Sequence, residues 1–349
     1  MIEGELEVLG NLLMTLAQGI FARPATYPVV LRLSTNPGDM LDDSISAPRR
    51  MVIGVEGERL EGYRTQDFVM VNAPIFAASD PAAFAKNLRL LAPTTDTGQG
   101  WNKAFSAALR GAEAAVEAAG SESPMLTMMG GQTLTHSLGE TFYTQTPFRY
   151  GDYVAKLSLA SVSPARRALF GQPVETRGLP NRLHEEVIHS LREHEAEWEL
   201  RVQLRINPET MPIEDASAIW PEDESPYVAV ARIRPPRQPA WNEVRARQVD
   251  DALVFSPWHG IEAHWPLGGV NRARKDAYGA AADFRSELNR CSIAEPTSRP
   301  SLAGGSARTY GTAPGREGRR TRAGAPLGAS VASRSTRACA MQPPERRAA

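Results

Sequence analysis

Residues 198–206 read Trp198-Glu199-Leu200-Arg201-Val202-Gln203-Leu204-Arg205-Ile206, with apolar and polar side chains alternating without a break. Successive side chains of an extended chain point to opposite faces. Trp198, Leu200, Val202, Leu204 and Ile206 therefore line one face, and Glu199, Arg201, Gln203 and Arg205 the other. One buried and one wet face is the pattern of an antiparallel sheet, whereas parallel strands are buried on both sides. This strand sets the fold class.

Working outward, shorter strands are predicted at 4–9, 27–34, 50–55, 67–71, 141–146, 153–159, 227–233 and 252–255, between Pro-, Gly- and Asp-rich turns. Helices are predicted at 104–119 and 183–197. Another opens at Asp80-Pro81, with Asp80 as N-cap and Pro81 in the first turn. Strands that mostly follow one another, with helices inserted late, predict an α+β fold: an antiparallel eight-stranded β-barrel with inserted and C-terminal helices.

The chain of 349 residues has a net charge of −1, so no global field favours nucleic acid or a membrane surface. The balance is uneven: residues 299–349 hold ten Arg, no Lys and two Glu. That Arg/Gly/Ala/Ser-rich stretch has too little apolar area to offset its ordering entropy and is expected to be a disordered tail. One domain is expected over 1–298. Two cysteines, Cys291 and Cys339, are too few for a disulfide framework. The start, MIEGELEVLGNL, lacks a basic lead and an apolar run, and a cytoplasmic protein is expected.

The second informative stretch is 266–285, PLGGVNRARKDAYGAAADFR. In a helix each residue turns about 100°. Tyr278 then lies about 40° from Arg274, and Arg285 about 20° from Arg274, so Arg, Tyr and Arg share one face over three turns. A guanidinium beside a phenol favours the phenolate, and a phenolate can bind ferric iron. An Arg-rich amphipathic helix that merely carries a Tyr would show the same spacing.

This spacing, after a Pro-Leu-Gly lead, resembles the proximal haem helix of the catalase family. Other segments resemble that family in the same order. Arg32-Leu33-Ser34 is similar to its Arg-Phe-Ser strand. Residues 42–53, with Pro48-Arg49 inside, are similar to its Asp…Pro-Arg-Gly segment. Residues 66–76, QDFVMVNAPIF, resemble its Asn-Asn-x-Pro-x-Phe stretch, with Phe84 eight residues after Phe76. Ile219-Trp220-Pro221 and Phe255-Ser256-Pro257 also have counterparts. The likeness covers residues 3–298 and is nearest to the short, single-domain branch. It implies haem b held by Tyr278 as axial ligand, with Arg274 at the Tyr oxygen. Arg32 and Arg285 would meet propionates, Ser34 would support the distal side, and Phe76 and Phe84 would wall the pocket. The implied reaction is of catalase or peroxidase type, on hydrogen peroxide or organic hydroperoxides. A non-catalytic haem-binding or haem-storage protein is the alternative.

The sequence departs from the family in two places that bear on chemistry. The family's distal histidine precedes the first long strand, but the first histidine here is His136. A strand starting at residue 4 leads us to expect that the natural chain begins further upstream. The family's catalytic Asn falls at Val71, while Asn72 matches the second Asn of the pair. A one-residue bulge would bring Asn72 into the pocket as the catalytic amide. The Thr-Lys of the larger enzymes is also missing from residues 215–221, DASAIWP.

Other candidates have plainer readings. His184 and His189 are five apart on a charged helix and do not share a face as zinc ligands would. His136 reads as a structural histidine. His259 and His264 precede Trp265 and read as loop packing or a contact near the haem edge. Cys291 has no His near it in sequence.

Overall fold

A computed structural model describes residues 1–35, 43, 48–56, 65–95, 134–242 and 253–289. The predicted helix at 104–119, both cysteines and the 299–349 tail lie outside them, and all described residues fall within the unit 1–298.

Nine strands form one antiparallel sheet: β1 (Ile2–Val8), β2 (Thr26–Thr35), β3 (Arg49–Glu56), β4 (Thr65–Val71), β5 (Phe142–Tyr143), β6 (Phe148–Tyr150), β7 (Tyr153–Ser161), β8 (Trp198–Leu204) and β9 (Val228–Arg234). Their order is β5-β4-β3-β2-β1-β9-β8-β7-β6, and β5 also pairs with β7. That last pairing closes eight strands into a barrel, with β6 beside β5 along the same edge of β7. Closure removes the edge strands that an open sheet would expose.

Alternation along the strands builds the interior. Trp198, Leu200 and Val202 of β8 point inward and are fully buried, as the opening pattern requires. They pack with Leu6, Leu31, Ile53, Phe68, Phe142, Leu157, Leu159 and Ile233. The strand stops at Leu204, so the predicted inward place of Ile206 is corrected; that side chain is 61% exposed.

Two further strand predictions are corrected. The 141–146 prediction shrinks to Phe142–Tyr143, because Gln145 adopts φ +62° and breaks the ladder before β6 resumes it. Residues 253–255 form no strand; Leu253 makes a single bridge. The following loop is held by a side chain instead: Ser256 N–H donates to Asp67 Oδ2 at 3.0 Å.

Helices lie outside the barrel: α1 (Pro81–Thr95), the short α2 (Pro164–Arg167), α3 (Arg182–Glu193) and α4 (Gly269–Asn289). Asp80 caps α1 as expected, its Oδ1 accepting from Ala82 N–H at 2.8 Å and Ala83 N–H at 2.9 Å. The predicted helix 183–197 ends early, because His194 turns extended to lead into β8. No helix among the described residues is long and apolar enough to cross a membrane.

Candidate functional site

The site is built where α4 lies on the outer face of β2, β3 and β4. Gly268 turns the chain into α4 with φ +85°, and a Cβ there would sit 2.6 Å from the Ile213 carbonyl oxygen. Only glycine suits both demands. Glu214 then caps the helix: its Oε2 accepts from Gly269 N–H at 2.8 Å and pairs with Arg272 at 2.9 Å. The Arg272 hydrogen bond holds the Glu214 carboxyl below its usual range, and a negative group suits a helix N-terminus.

Asn271 fixes the helix on the barrel. It is fully buried, and its Nδ2 donates to Leu267 O at 2.8 Å and Pro147 O at 3.2 Å. Trp258 Nε1 donates to the Asn271 carbonyl at 2.8 Å, tying in the preceding loop. A second latch holds that loop to β4. Asp67, fully buried, lies 3.0 Å from His259 Nδ1, and Asp67 N–H donates to His259 O at 2.9 Å. Burial pushes the Asp67 carboxyl up, against the His259 and Ser256 hydrogen bonds that favour its charged form.

With the helix so placed, one face turns inward. Val270 and Asn271 are buried and Arg274, Tyr278, Ala282 and Arg285 half-buried, while Arg272, Lys275, Asp276 and Asp283 are exposed. The 100° arithmetic selects this same face. Tyr278 packs against Val30, Val52, Val69, Leu253 and Phe255. Arg285 Nη2 donates to Leu253 O at 3.4 Å, at the rim of this apolar patch.

Arg274 lies one turn before Tyr278. Its Nη1 donates to Thr146 Oγ1 and Asn271 Oδ1, both at 3.3 Å, and its guanidinium stands 5.4 Å over the Phe76 ring. Burial lowers its proton affinity; the neighbouring Tyr278 opposes that shift and Arg50 adds to it. Phe76 and Phe84 lie against each other, with ring centroids 4.7 Å apart. The Phe76 backbone is fixed by a bond from its N–H to Ala216 O at 2.9 Å.

Arg32 and Ser34 follow Val30 at period two on β2, so both face the Tyr278 side. Arg32 stands opposite Val52 and Ser34 opposite Arg50. The expected residues Tyr278, Arg274, Arg285, Arg32, Ser34, Phe76 and Phe84 are thus carried by elements that meet at one side of the barrel.

Asn72 is placed differently from the expected bulge. Its Oδ1 accepts from Arg49 N–H at 2.9 Å and its Nδ2 donates to Glu140 Oε2 at 2.9 Å. Glu140 in turn pairs with Arg49 and accepts from Thr135 Oγ1 at 2.6 Å. The amide serves a buried knot joining β3, β4 and the approach to β5. Val71 holds the register position opposite Arg50.

The histidines follow their plain readings in the main. His184 and His189 are exposed on α3. His136 is buried, with Nδ1 accepting from Leu138 N–H at 3.2 Å. His264 is a surprise: it lies inside the barrel among Phe21, Phe68 and Tyr150. Its Nε2 accepts from Ile20 N–H at 3.1 Å, and burial pushes its pKa down to about 4. Gly19 (φ +54°) permits this, since a Cβ there would come within 2.2 Å of His264 Nε2.

Sequence reasoning missed Thr146, Asn271, Arg50 and the Asp67–His259 latch. Asn271 was findable, because it lies three residues before Arg274 on the same helix face. Arg50 was findable as a charge two residues before Val52 in the outward register of β3.

No protein-family model matches the sequence, and no curated protein matches it by sequence. Solved structures do match. A fungal catalase superposes with TM-score 0.58 at 18% identity, over 81% of this chain and 57% of that one. Catalase A from Saccharomyces cerevisiae gives 0.59 at 16%, over 81% and 59%. A bacterial catalase gives 0.60 at 16%, over 90% and 62%. The chain spans about three fifths of the length of these catalases. Likeness at such low identity speaks to the backbone: this chain has the fold of the catalases.

Proposed function

We propose that this protein binds haem b on the outer face of β2–β4 and acts on peroxides in a catalase- or peroxidase-type reaction. The observation that carries the reading is the single half-buried face of α4. It brings Arg274, Tyr278 and Arg285 against an apolar patch flanked by Arg32 and Ser34. The donor set fits the group: a phenol for ferric iron, guanidinium groups for carboxylates, and apolar side chains for a macrocycle face. Haem bound there would supply the redox chemistry of peroxide cleavage.

The chain's own residues would do the rest. Tyr278 Oη would hold the iron, and the Arg274 charge beside it would favour the phenolate. Asn271 and Thr146 orient Arg274, and Glu214 and Gly268 set where α4 begins. Arg32 and Arg285 would take propionates. Phe76 and Phe84 would exclude water from one side of the pocket.

One observation favours the second reading, a haem binder without efficient turnover. The Asn72 amide is engaged by Arg49 and Glu140, and Val71 occupies the register position beside Arg50. Peroxide cleavage needs a base to move a proton between the two oxygens, an effect worth about 10²–10⁴ in rate. The deciding experiment measures oxygen release from hydrogen peroxide, and donor oxidation with an organic hydroperoxide, for the haemin-loaded chain against free haemin. Rates well above free haemin support the enzyme. A bound haem that only bleaches supports the binder, and no bound haem rejects both.

A further inference from the structure

Arg166 on α2 carries a whole positive charge with no exposed surface. Its guanidinium stands 5.6 Å over the ring of Trp198, the first residue of β8, which is also fully buried. Nη1 donates to Ser190 Oγ at 3.1 Å, and Nη2 to the carbonyls of Ser190 and His194, both at 3.3 Å. All three acceptors are neutral. The carbonyls at the end of α3 bring about half a negative charge, short of what a guanidinium carries. Glu186, one turn before Ser190 on α3, pairs with Arg182 and lies 3.9 Å from His136. Among the described residues no carboxylate pairs with Arg166. Burial without such a partner pushes its pKa down to about 10.

The same corner holds four buried polar atoms with no hydrogen-bond partner among the described residues: Arg166 Nε, Trp198 Nε1, Ser161 Oγ and Ser163 Oγ. The chain gathers them. Ser161 stands directly opposite Trp198 in the β7–β8 ladder, so the two side chains share a face. Ser163 follows two residues on, and its carbonyl accepts from Arg166 N–H at 3.0 Å. Guanidinium and indole N–H groups can only donate, and a serine hydroxyl can donate as well. The set is therefore a group of donors around one positive charge. A water molecule among them would need acceptors for its own two protons, which only the hydroxyls could supply; an anion needs none.

We infer that Arg166, Trp198, Ser161 and Ser163 form a buried site for a small monovalent anion of halide type. Such an ion would supply the charge that the end of α3 lacks and would tie α2 and α3 to the ends of β7 and β8. Full burial of Arg166 and Trp198 suits a monatomic ion enclosed on all sides. The site shares no residue with the α4 face, so it stands or falls independently of the haem reading.

The test has two arms on the full chain. In the first, thermal melting is followed while chloride replaces isethionate, a bulky organic anion, at fixed ionic strength. A tenfold rise in chloride above its dissociation constant should raise the melting temperature by about 2–4 °C. Arg166→Met, which keeps the length of the side chain and removes the charge, should abolish that rise. In the second arm, crystals of the parent chain are soaked in bromide, and the anomalous signal should place one ion in contact with Arg166 Nε and Trp198 Nε1. This arm decides the matter even if the variant does not fold. Absence of bromide at Arg166 overturns the site, whatever the melting shows. Equal chloride responses in the parent and Arg166→Met place the ion elsewhere and overturn it too. Bromide at Arg166 with no chloride response in the parent means an adventitious ion only, which also contradicts the inference.

Discussion

Inside the barrel, Phe21, Phe68, Phe148, Tyr150 and Trp198 fill the space between strands, all at most 1% exposed. On the outer face of β2, β3 and β4, three valines share the surface with Arg32, Ser34 and Arg50. The same strands supply both faces, since alternate residues belong to each. The one imidazole inside is kept neutral by burial, whereas the outer face gathers cations. An interior filled by large apolar side chains accounts for folding. The functional reading rests on the outer face, where cations are set against an apolar patch.

The comparison can be broken by mutation, first on the inside. Phe68→Ala should cost about 3–5 kcal/mol in denaturant unfolding, the usual loss for a buried aromatic. Val52→Ala on the outer patch removes less buried area and should cost about 1–2 kcal/mol. Equal losses at the two positions would mean that the outer patch is as much a folding core as the interior.

Acid should probe the inside next. His264 has a folded pKa of about 4 against 6.5 for the free side chain. The unfolded chain therefore binds the proton more readily. This residue's contribution is complete above about pH 6.5 and is lost as pH falls towards 4. A shift of that size is worth about 3 kcal/mol. Asp67, pushed up by burial, works in the opposite sense: its contribution is lost as pH rises through its folded pKa. Comparing the parent with His264→Phe isolates the histidine. The variant should lose most of the decline in stability between pH 6.5 and 4, and an unchanged decline would remove His264 as its source.

The smallest effect belongs to the exposed cap of α4. Glu214→Ala removes the acceptor of Gly269 N–H and the partner of Arg272, and should cost about 1 kcal/mol by thermal melting. A loss above about 3 kcal/mol would mean that the cap holds more than the first turn of the helix.

Features with a local period were legible in the sequence. The two-residue alternation of β8, the Asp80 cap, and the face shared by Arg274, Tyr278 and Arg285 depend on near neighbours. The misses depend on distant partners. The Asn72 amide is claimed by Glu140, 68 residues away, and Asp67 meets His259 across 192. His264 enters the barrel because Gly19 leaves room for it, which no spacing near residue 264 announces. The break between β5 and β6 turns on one left-handed residue, Gln145, of a type rarely found in that conformation.

The central claim, that Tyr278 is the ligand-bearing residue of the outer face, is tested most directly by haemin titration of the parent chain and Tyr278→Phe, followed by absorbance. The account predicts a saturable one-to-one Soret band with high-spin ferric, tyrosinate-type features in the parent, lost in the variant. An identical spectrum and affinity in Tyr278→Phe would contradict it.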